Sequence, residues 1–238
     1  MKPLTSLVRS LAIVLIALTL IRVTPAAEKP ATRESKDKDG WQSLFDGKEL
    51  GKWKSTNFGG EGEVSVKDGA LVLGSGEILT GANYTGKTPK MNYEVELDAR
   101  RVNGSDFFCG LTVPVGDTFA SLIIGGWGGS LCGISSFDGN DAANNDTATV
   151  QAFKNGEWYH IRLRVLPNML QAWIDDKQIV DADTTGKKIS TRHEVNPSKP
   201  FGISSYQTTA ALKNIRLREI PKSELDAAKK DEGKRESK

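Results

Sequence analysis

Two cysteines and two histidines in 238 residues leave little material for a metal centre or a disulfide framework. Their spacing fits neither a zinc finger nor a metalloprotease helix. The chain lacks a G-x-S-x-G nucleophile elbow and a phosphate-binding P-loop. Its "GGWGG" run is no dinucleotide fingerprint, because Leu131 stands where the last glycine should fall. No stretch between Trp41 and Ile220 keeps a helical period over three turns, which points away from helices. No charge of one sign dominates either. Trp41 to Ile220 holds 19 Lys and Arg against 21 Asp and Glu, a net −2, so a basic nucleic-acid surface is not indicated.

A long apolar run is also missing. Leu11 to Ile21 spans 11 residues, short of the about 20 a membrane-spanning helix needs. With Lys2 and Arg9 before it and "TPAA" after it, the run reads as the core of a secretory signal over residues 1–27. Cleavage after Ala26 or Ala27 would send the chain to the cell envelope or outside the cell. The leader would tether it to a membrane only if left uncleaved. Residues 28–40 are a charged, Pro-containing linker and 221–238 a charged tail. Both have too few apolar residues to offset chain entropy, so disorder or a frayed helix is expected.

Residues 41–220 form one domain, and its pattern is that of strands. Period-two alternation recurs in "EVSV", "ALVL", "NYEVELDARR", "SDFFCGLTV", "TFASLII", "TATVQAF", "EWYHIRLRV", "LQAWID", "QIVDA", "FGISSY" and "ALKNIRLREI". Turn signals such as "KDG", "PVGD", "LPN" and "DDK" separate them. Short antiparallel strands with turns between them imply an all-β sandwich or barrel.

Individual strands assign faces. In "EWYHIRLRV", Tyr159, Ile161, Leu163 and Val165 share the apolar face, so Trp158, His160, Arg162 and Arg164 point outward, to solvent or a groove. In "NYEVELDARR", Glu94, Glu96 and Asp98 oppose Tyr93, Val95 and Leu97, and Arg100 continues the acidic row. That row either lines a groove or is an exposed polar face. His160 is either a general base or a half-buried structural histidine. His193 sits in the loop "STRHEVNPSK".

Cys109 and Cys132 would lie on next-but-one strands of a meander. Strands are about 4.8 Å apart, whereas a disulfide needs Cα atoms within about 7 Å. Two buried free thiols are therefore expected. Trp127, flanked by two glycines on each side, could stack on a sugar ring, or fold onto the core while the glycines make a hairpin. The Asx-rich loop "SFDGNDAANNDTAT" offers Asp138, Asn140 and Asp141 as a calcium candidate or as Asx turns; Ala143 and Thr149 break the EF-hand pattern. Asn83, Asn103 and Asn145 start glycosylation sequons, which matter only in a host that modifies exported proteins.

The phrases "LFDGKELGKWK", "VKDGALV", "NYEVELDARR", "VNGSDFF", "GEWYHIRLRVLPNMLQAWIDDKQIVDAD" and "FGISSYQTTAALKNIRLREI" together resemble the 3-keto-disaccharide hydrolase (3-keto-glucoside lyase/hydratase) family, formerly a domain of unknown function. The resemblance spans nearly all of residues 41–220. It implies a two-sheet antiparallel jelly-roll sandwich of the concanavalin A type and a carbohydrate ligand. It also implies a reaction on 3-keto glycosides. A base removes the C2 proton, the C1 substituent leaves, and water adds; a polar group or a divalent metal steadies the enolate. Glu94, Glu96 and His160 are the candidate catalytic groups, with Trp127, Arg100 and Arg162 as candidate ligand contacts. Three positions depart from the family pattern. No Arg stands near Cys109 and Gly110, no ionisable group in "FASLIIGGWGG", and no His in "SSYQTT". These departures support the alternative, a glycan-binding module that has lost the active-site groups. Substrate sugar and oligomeric state are not legible.

Overall fold

The computed structural model describes residue 37 and residues 39–226. The expected leader, most of the linker and the tail after Asp226 lie outside the described residues. In chain order the strands are β1 (Gln42–Ser43), β2 (Trp53–Ser55), β3 (Val64–Lys67), β4 (Ala70–Leu73), β5 (Leu79–Tyr84), β6 (Tyr93–Asn103), β7 (Cys109–Val115), β8 (Thr118–Gly126), β9 (Leu131–Ser135), β10 (Thr149–Val150), β11 (Tyr159–Leu166), β12 (Met169–Ile174), β13 (Lys177–Asp183), β14 (Gly202–Tyr206) and β15 (Thr209–Glu219). A 3₁₀ turn, His193–Ser198, precedes β14.

The strands form two antiparallel sheets. The first runs β13-β12-β11-β6-β15-β4-β3, with β1 also paired to β15; the second runs β10-β9-β8-β7-β14-β5-β2. This is an all-β jelly-roll sandwich. Hairpins join neighbours such as β3 and β4, where Asp68 and Gly69 supply the turn between Lys67 and Ala70 with φ of 51° and 76°, the positive values a tight hairpin needs. Other neighbours are distant in sequence: β15 inserts between β6 and β4, and β14 between β7 and β5.

Alternation gives each sheet an inner face. Val95, Leu97, Ile161, Leu163 and Leu212 of the first sheet meet Leu111, Val113, Leu122, Ile124, Ile134 and Ile203 of the second, all fully buried. Burying each such side chain is worth about 1.5–3 kcal/mol, so the shared core fixes which face of every strand turns outward. The "TATVQAF" segment departs from expectation. Only Thr149–Val150 is strand, because the chain then turns inward to pack Phe153 on Phe108 and Tyr159, with ring centroids 5.1 and 4.9 Å apart. Of the tail, residues 222–226 are helical, and Glu224 accepts two 2.9 Å hydrogen bonds from Arg218.

Cys109 and Cys132 each pair with Ile124 of β8, one from either side. They are thus next-but-one across the sheet, both buried and both free thiols. Burial pushes the Cys109 thiol up to about 12 and that of Cys132 to about 11. A thiol reagent at pH 8 should therefore label neither cysteine in the folded protein and both after denaturation. A reductant should leave Tm unchanged, and labelling of native protein at the rate of a free peptide thiol would refute this burial.

Candidate functional site

The first sheet's outer face carries a lattice of charge. Each acid on β6 stands opposite basic or polar groups on both neighbours: Glu94 beside Arg164 and Arg218, Glu96 beside Arg162 and Arg216, Asp98 beside His160 and Lys213. Glu94 is fully buried beneath its partners. One oxygen accepts from Arg164 Nε at 2.8 Å, the other from Arg218 Nε at 2.8 Å. Tryptophans flatten the arginines from outside. Arg162 lies 4.0 Å from the Trp173 ring, Arg216 4.8 Å and Arg218 5.1 Å from Trp41, and Arg100 4.5 Å from Trp158, which Lys213 also covers. Each such cation–π contact is worth about 0.5–2 kcal/mol, depending on exposure.

At one end of this lattice is a polar hollow of about 460 Å³, lined by Glu96, Asp98, His160, Asn214 and Arg216 among others. His160 Nδ1 is 2.9 Å from Asp98 Oδ1, and Nε2 is 3.7 Å from Glu96. The nearby Glu96 carboxylate, together with the hydrogen bond to Asp98, outweighs partial burial and raises the His160 pKa to about 9. The Glu96 carboxyl is lowered: burial works the other way, but the nearby His160 and the hydrogen bond from Arg216 overcome it. Asn214 donates to Asp98 at 2.7 Å. Every charged member of this hollow is thus already engaged.

The second sheet's outer face is different. Its inward positions are large and apolar, yet the outward ones are small: Gly81, Gly110, Thr112, Ser121, Gly133, Ser135, Gly202 and Ser204. Small side chains leave a recess over the middle strands. Loops wall it with Ile78, Asp106, Phe107, Trp127, Arg192, Glu194 and Val195, while Leu79, Ser121, Ile123, Ser135 and Tyr206 come from strands. The resulting pocket is also about 460 Å³, within the range usual for small-molecule sites. Phe107 and Tyr206 stack at 5.9 Å. On the floor Thr112 and Ser121 share a 2.8 Å hydrogen bond, whereas the Ser135 hydroxyl, buried beside Ser121, has no partner. Leaving such a group unsatisfied costs about 1–3 kcal/mol.

Trp127 stands at the rim, 45% exposed. It has φ of 48°, in a turn where Gly125, Gly128 and Gly129 are also left-handed. Two links hold this turn. Asp106 accepts from Gly128 N–H at 3.0 Å and from Phe107 N–H at 2.7 Å. Arg101, itself buried, donates to the carbonyls of Gly129, Asp106 and Phe153. These contacts fix the backbone of the turn, from which the indole is presented outward rather than folded onto the core.

Across the pocket, Arg192 donates to Glu194 at 2.6 Å and Asp141 at 3.1 Å. The Arg192 hydrogen bond lowers the Glu194 carboxyl despite its partial burial. The Asx-rich loop is built as turns. Asp138 is tied to Lys187 and the Lys188 N–H, Asp141 to Ala143, Asn144 and Arg192, and the Asn140 amide to a carbonyl. Among the described residues no three His, Cys, Asp or Glu side chains are grouped to hold a metal. Asn145 donates to the carbonyls of Asn140 and Asp141 in the same loop and of Ile134 in β9.

The expected site residues therefore divide. Glu94, Glu96, His160, Arg100 and Arg162 are on the outer face of the first sheet, and Trp127 is at the pocket of the second. A groove-lining role for Glu94 is corrected: it is fully buried and bonded on both oxygens, so no substrate reaches it. Arg100 and Arg162 lie on tryptophans of that same face, away from Trp127. The pocket's Asp106, Phe107, Ser135, Arg192, Glu194 and Tyr206 were not singled out from sequence. The three departures from the family pattern all fall on the second sheet's face, at Gly110, at Ser121 and Ile123, and in β14, where Tyr206 reaches the pocket.

Comparison with known proteins agrees with this architecture. Residues 40–218 match the model of a 3-keto-alpha-glucoside-1,2-lyase-like domain. No curated protein matches the chain. Among solved structures, the Crh5 transglycosylase in complex with NAG is similar at a TM-score of 0.54 and 12% identity, over 76% of this chain and 84–85% of the other in its two forms. A native glycosidic hydrolase is similar at 0.50 and 8% identity, over 76% and 95%. At these identities the likeness is one of fold.

Two outcomes test the first-sheet lattice. Glu94→Ala removes the carboxylate partner of Arg164 and leaves Arg218 with Glu224 alone. Breaking a buried pair costs about 3–5 kcal/mol, and the lower end is expected because both guanidinium groups reach solvent; denaturant unfolding measures it. His160 holds its proton more tightly folded than unfolded. Its contribution is full below pH 6.5 and disappears as pH rises through about 9. Tm should thus decline across that interval, and His160→Gln should flatten the decline; an unchanged profile would contradict the assigned ion pairs.

Proposed function

The chain belongs to the 3-keto-alpha-glucoside-1,2-lyase-like domain family, and from that membership and the second-sheet pocket we propose that it recognises a glycan there, with Trp127 stacking on the sugar. Membership makes this a carbohydrate-active domain. The observation that carries the proposal is the preorganised indole: a tryptophan held in a left-handed turn at a pocket rim by Asp106 and Arg101. Holding the ring outward before a ligand arrives lowers the entropy cost of binding. The apolar face of a pyranose suits an indole.

The pocket's ionisable groups do not resemble a poised base. Both Asp106 oxygens serve backbone N–H groups and Glu194 is held by Arg192. Abstraction of a proton next to a ketone needs a carboxylate or imidazole free to accept it. Recognition without turnover is accordingly the leading reading. The second reading, elimination and hydration of 3-keto glycosides, is favoured by one observation: Glu96, Asp98 and His160 line a single hollow on the first sheet. There the protonated His160 would serve as acid and a carboxylate as base. If residues 1–27 act as a secretory leader, either activity takes place outside the cytoplasm.

Trp127→Ala should lower glycan affinity at least tenfold with a Tm change near zero, because the ring is half-exposed. Titration against an oligosaccharide set, alongside a thermal melt, measures both. Sugar release from a 3-keto disaccharide that persists in Trp127→Ala and stops in Glu96→Gln or His160→Ala would move the function to the first sheet.

A further inference from the structure

The lining of the Trp127 pocket selects among sugars, and this selection rests on the glycan-binding reading just given. Two features narrow the ligand. The first is charge. Two carboxylates line the pocket, Asp106 and Glu194, against the one guanidinium of Arg192. That guanidinium is already shared by Glu194 and Asp141. An acidic sugar would meet a negative rim and no lining cation that is not already bracketed by carboxylates.

The second feature is polarity. Leu79, Ile123, Val195 and Phe107 form one continuous apolar wall with partly buried Tyr206 against it. They offer a hydroxyl nothing to bond. A hexose with every hydroxyl intact would strand at least one against this wall, and a buried hydroxyl without a partner is strongly disfavoured. A methyl group in the same place gains contact. The floor does not change this balance, because the hydroxyl-bearing residues Thr112, Ser121 and Ser135 are buried beneath the pocket surface.

We infer that the pocket is specific for a neutral sugar carrying a methyl group, which packs on the Leu79–Ile123–Val195 wall while the sugar's apolar ring face meets Trp127. The methyl comes from one of two sources, the C6 of a 6-deoxyhexose or the acetyl of an N-acetylhexosamine.

The test is calorimetric or NMR titration of the full chain with five glycosides. Methyl α-L-fucoside and methyl α-L-galactoside differ only in the C6 hydroxyl. Methyl N-acetyl-β-D-glucosaminide is paired with methyl β-D-glucoside, and methyl β-D-glucuronide supplies the acidic arm. The methyl-bearing member of one pair should bind about tenfold or more tightly than its counterpart, which also tells the two sources apart. The glucuronide should bind weakest. Val195→Thr, which places a hydroxyl on the wall at nearly constant volume, should narrow the gap between the paired sugars several-fold; a purely structural valine would lower Tm and leave the ratio of the two affinities intact. If both hydroxyl counterparts bind as well as the methyl-bearing sugars, or the glucuronide binds best, and Trp127→Ala still abolishes binding, the selectivity is wrong and the pocket stands. If no glycoside binds, or binding survives Trp127→Ala, the pocket assignment falls and the selectivity with it.

Discussion

A strand turns successive side chains to opposite faces, and in a two-layer sandwich only one face of each sheet is shared. Everything else in this molecule follows from that constraint. Once Val95, Leu97, Ile161 and Leu163 enter the common core, their sequence neighbours Glu94, Glu96, His160 and Arg162 have no choice but the outside of the first sheet. Ser121, Ile123 and Ser135 are sent to the outside of the second by the same rule, through Leu122, Ile124 and Ile134. Two chemically distinct surfaces result, with a dry core between them. No movement short of unfolding brings a carboxylate of β6 to Trp127.

The two surfaces are stabilised in opposite ways. On the first, charge is abundant and saturated. A fully buried carboxylate is unfavourable alone, yet Glu94 sits between two guanidinium groups that are themselves covered by Trp41 and Trp173. Such a lattice tolerates little change, since Arg162, Arg164, Arg216 and Arg218 each serve both an acid and a ring. Saturation also makes it a poor catalyst, because a group must give up its partners before it can take a proton. On the second surface polar groups are few and one hydroxyl is unpaired. That hydroxyl, on Ser135, lies buried below the pocket floor, so the recess itself is lined mainly by apolar groups.

Much of this could be read in the sequence. The E-x-E-x-D of β6, the H-x-R-x-R of β11 and the R-x-R of β15 each show period two, and their facing sides follow directly. Two-residue turns such as Asp68–Gly69 fixed local pairing, and the separation of the two thiols followed from one meander. What stayed hidden was non-local. Nothing in "FGISSY" says that β14 inserts between β7 and β5, or in "ALKNIRLREI" that β15 lies between β6 and β4. Without sheet membership, Trp127 and Glu94 could be imagined in one groove. Arg192, Glu194 and Val195 come from a non-periodic loop whose position over the second sheet is set by its contacts with β5 and β14, and Asp106 resembles an ordinary turn residue until its two N–H partners are known.

The departures from the family pattern have a physical consequence that single substitutions do not reverse. At Gly110, an added Cβ would come within 2.9 Å of Ser204 Oγ and 3.0 Å of the Phe107 ring. The space an arginine would need there is filled by Phe107, which also forms part of the apolar wall. Gly81 is equally closed, with the Phe58 ring 2.9 Å from a Cβ placed there and the Ile203 carbonyl 2.8 Å away. Aromatic side chains thus cover these glycine positions directly. Restoring an ionisable group would require moving Phe107, and with it Tyr206 and the pocket's shape. The apolar wall and the missing charge are two aspects of one packing arrangement, which ties the pocket's selectivity to its lack of a poised acid or base.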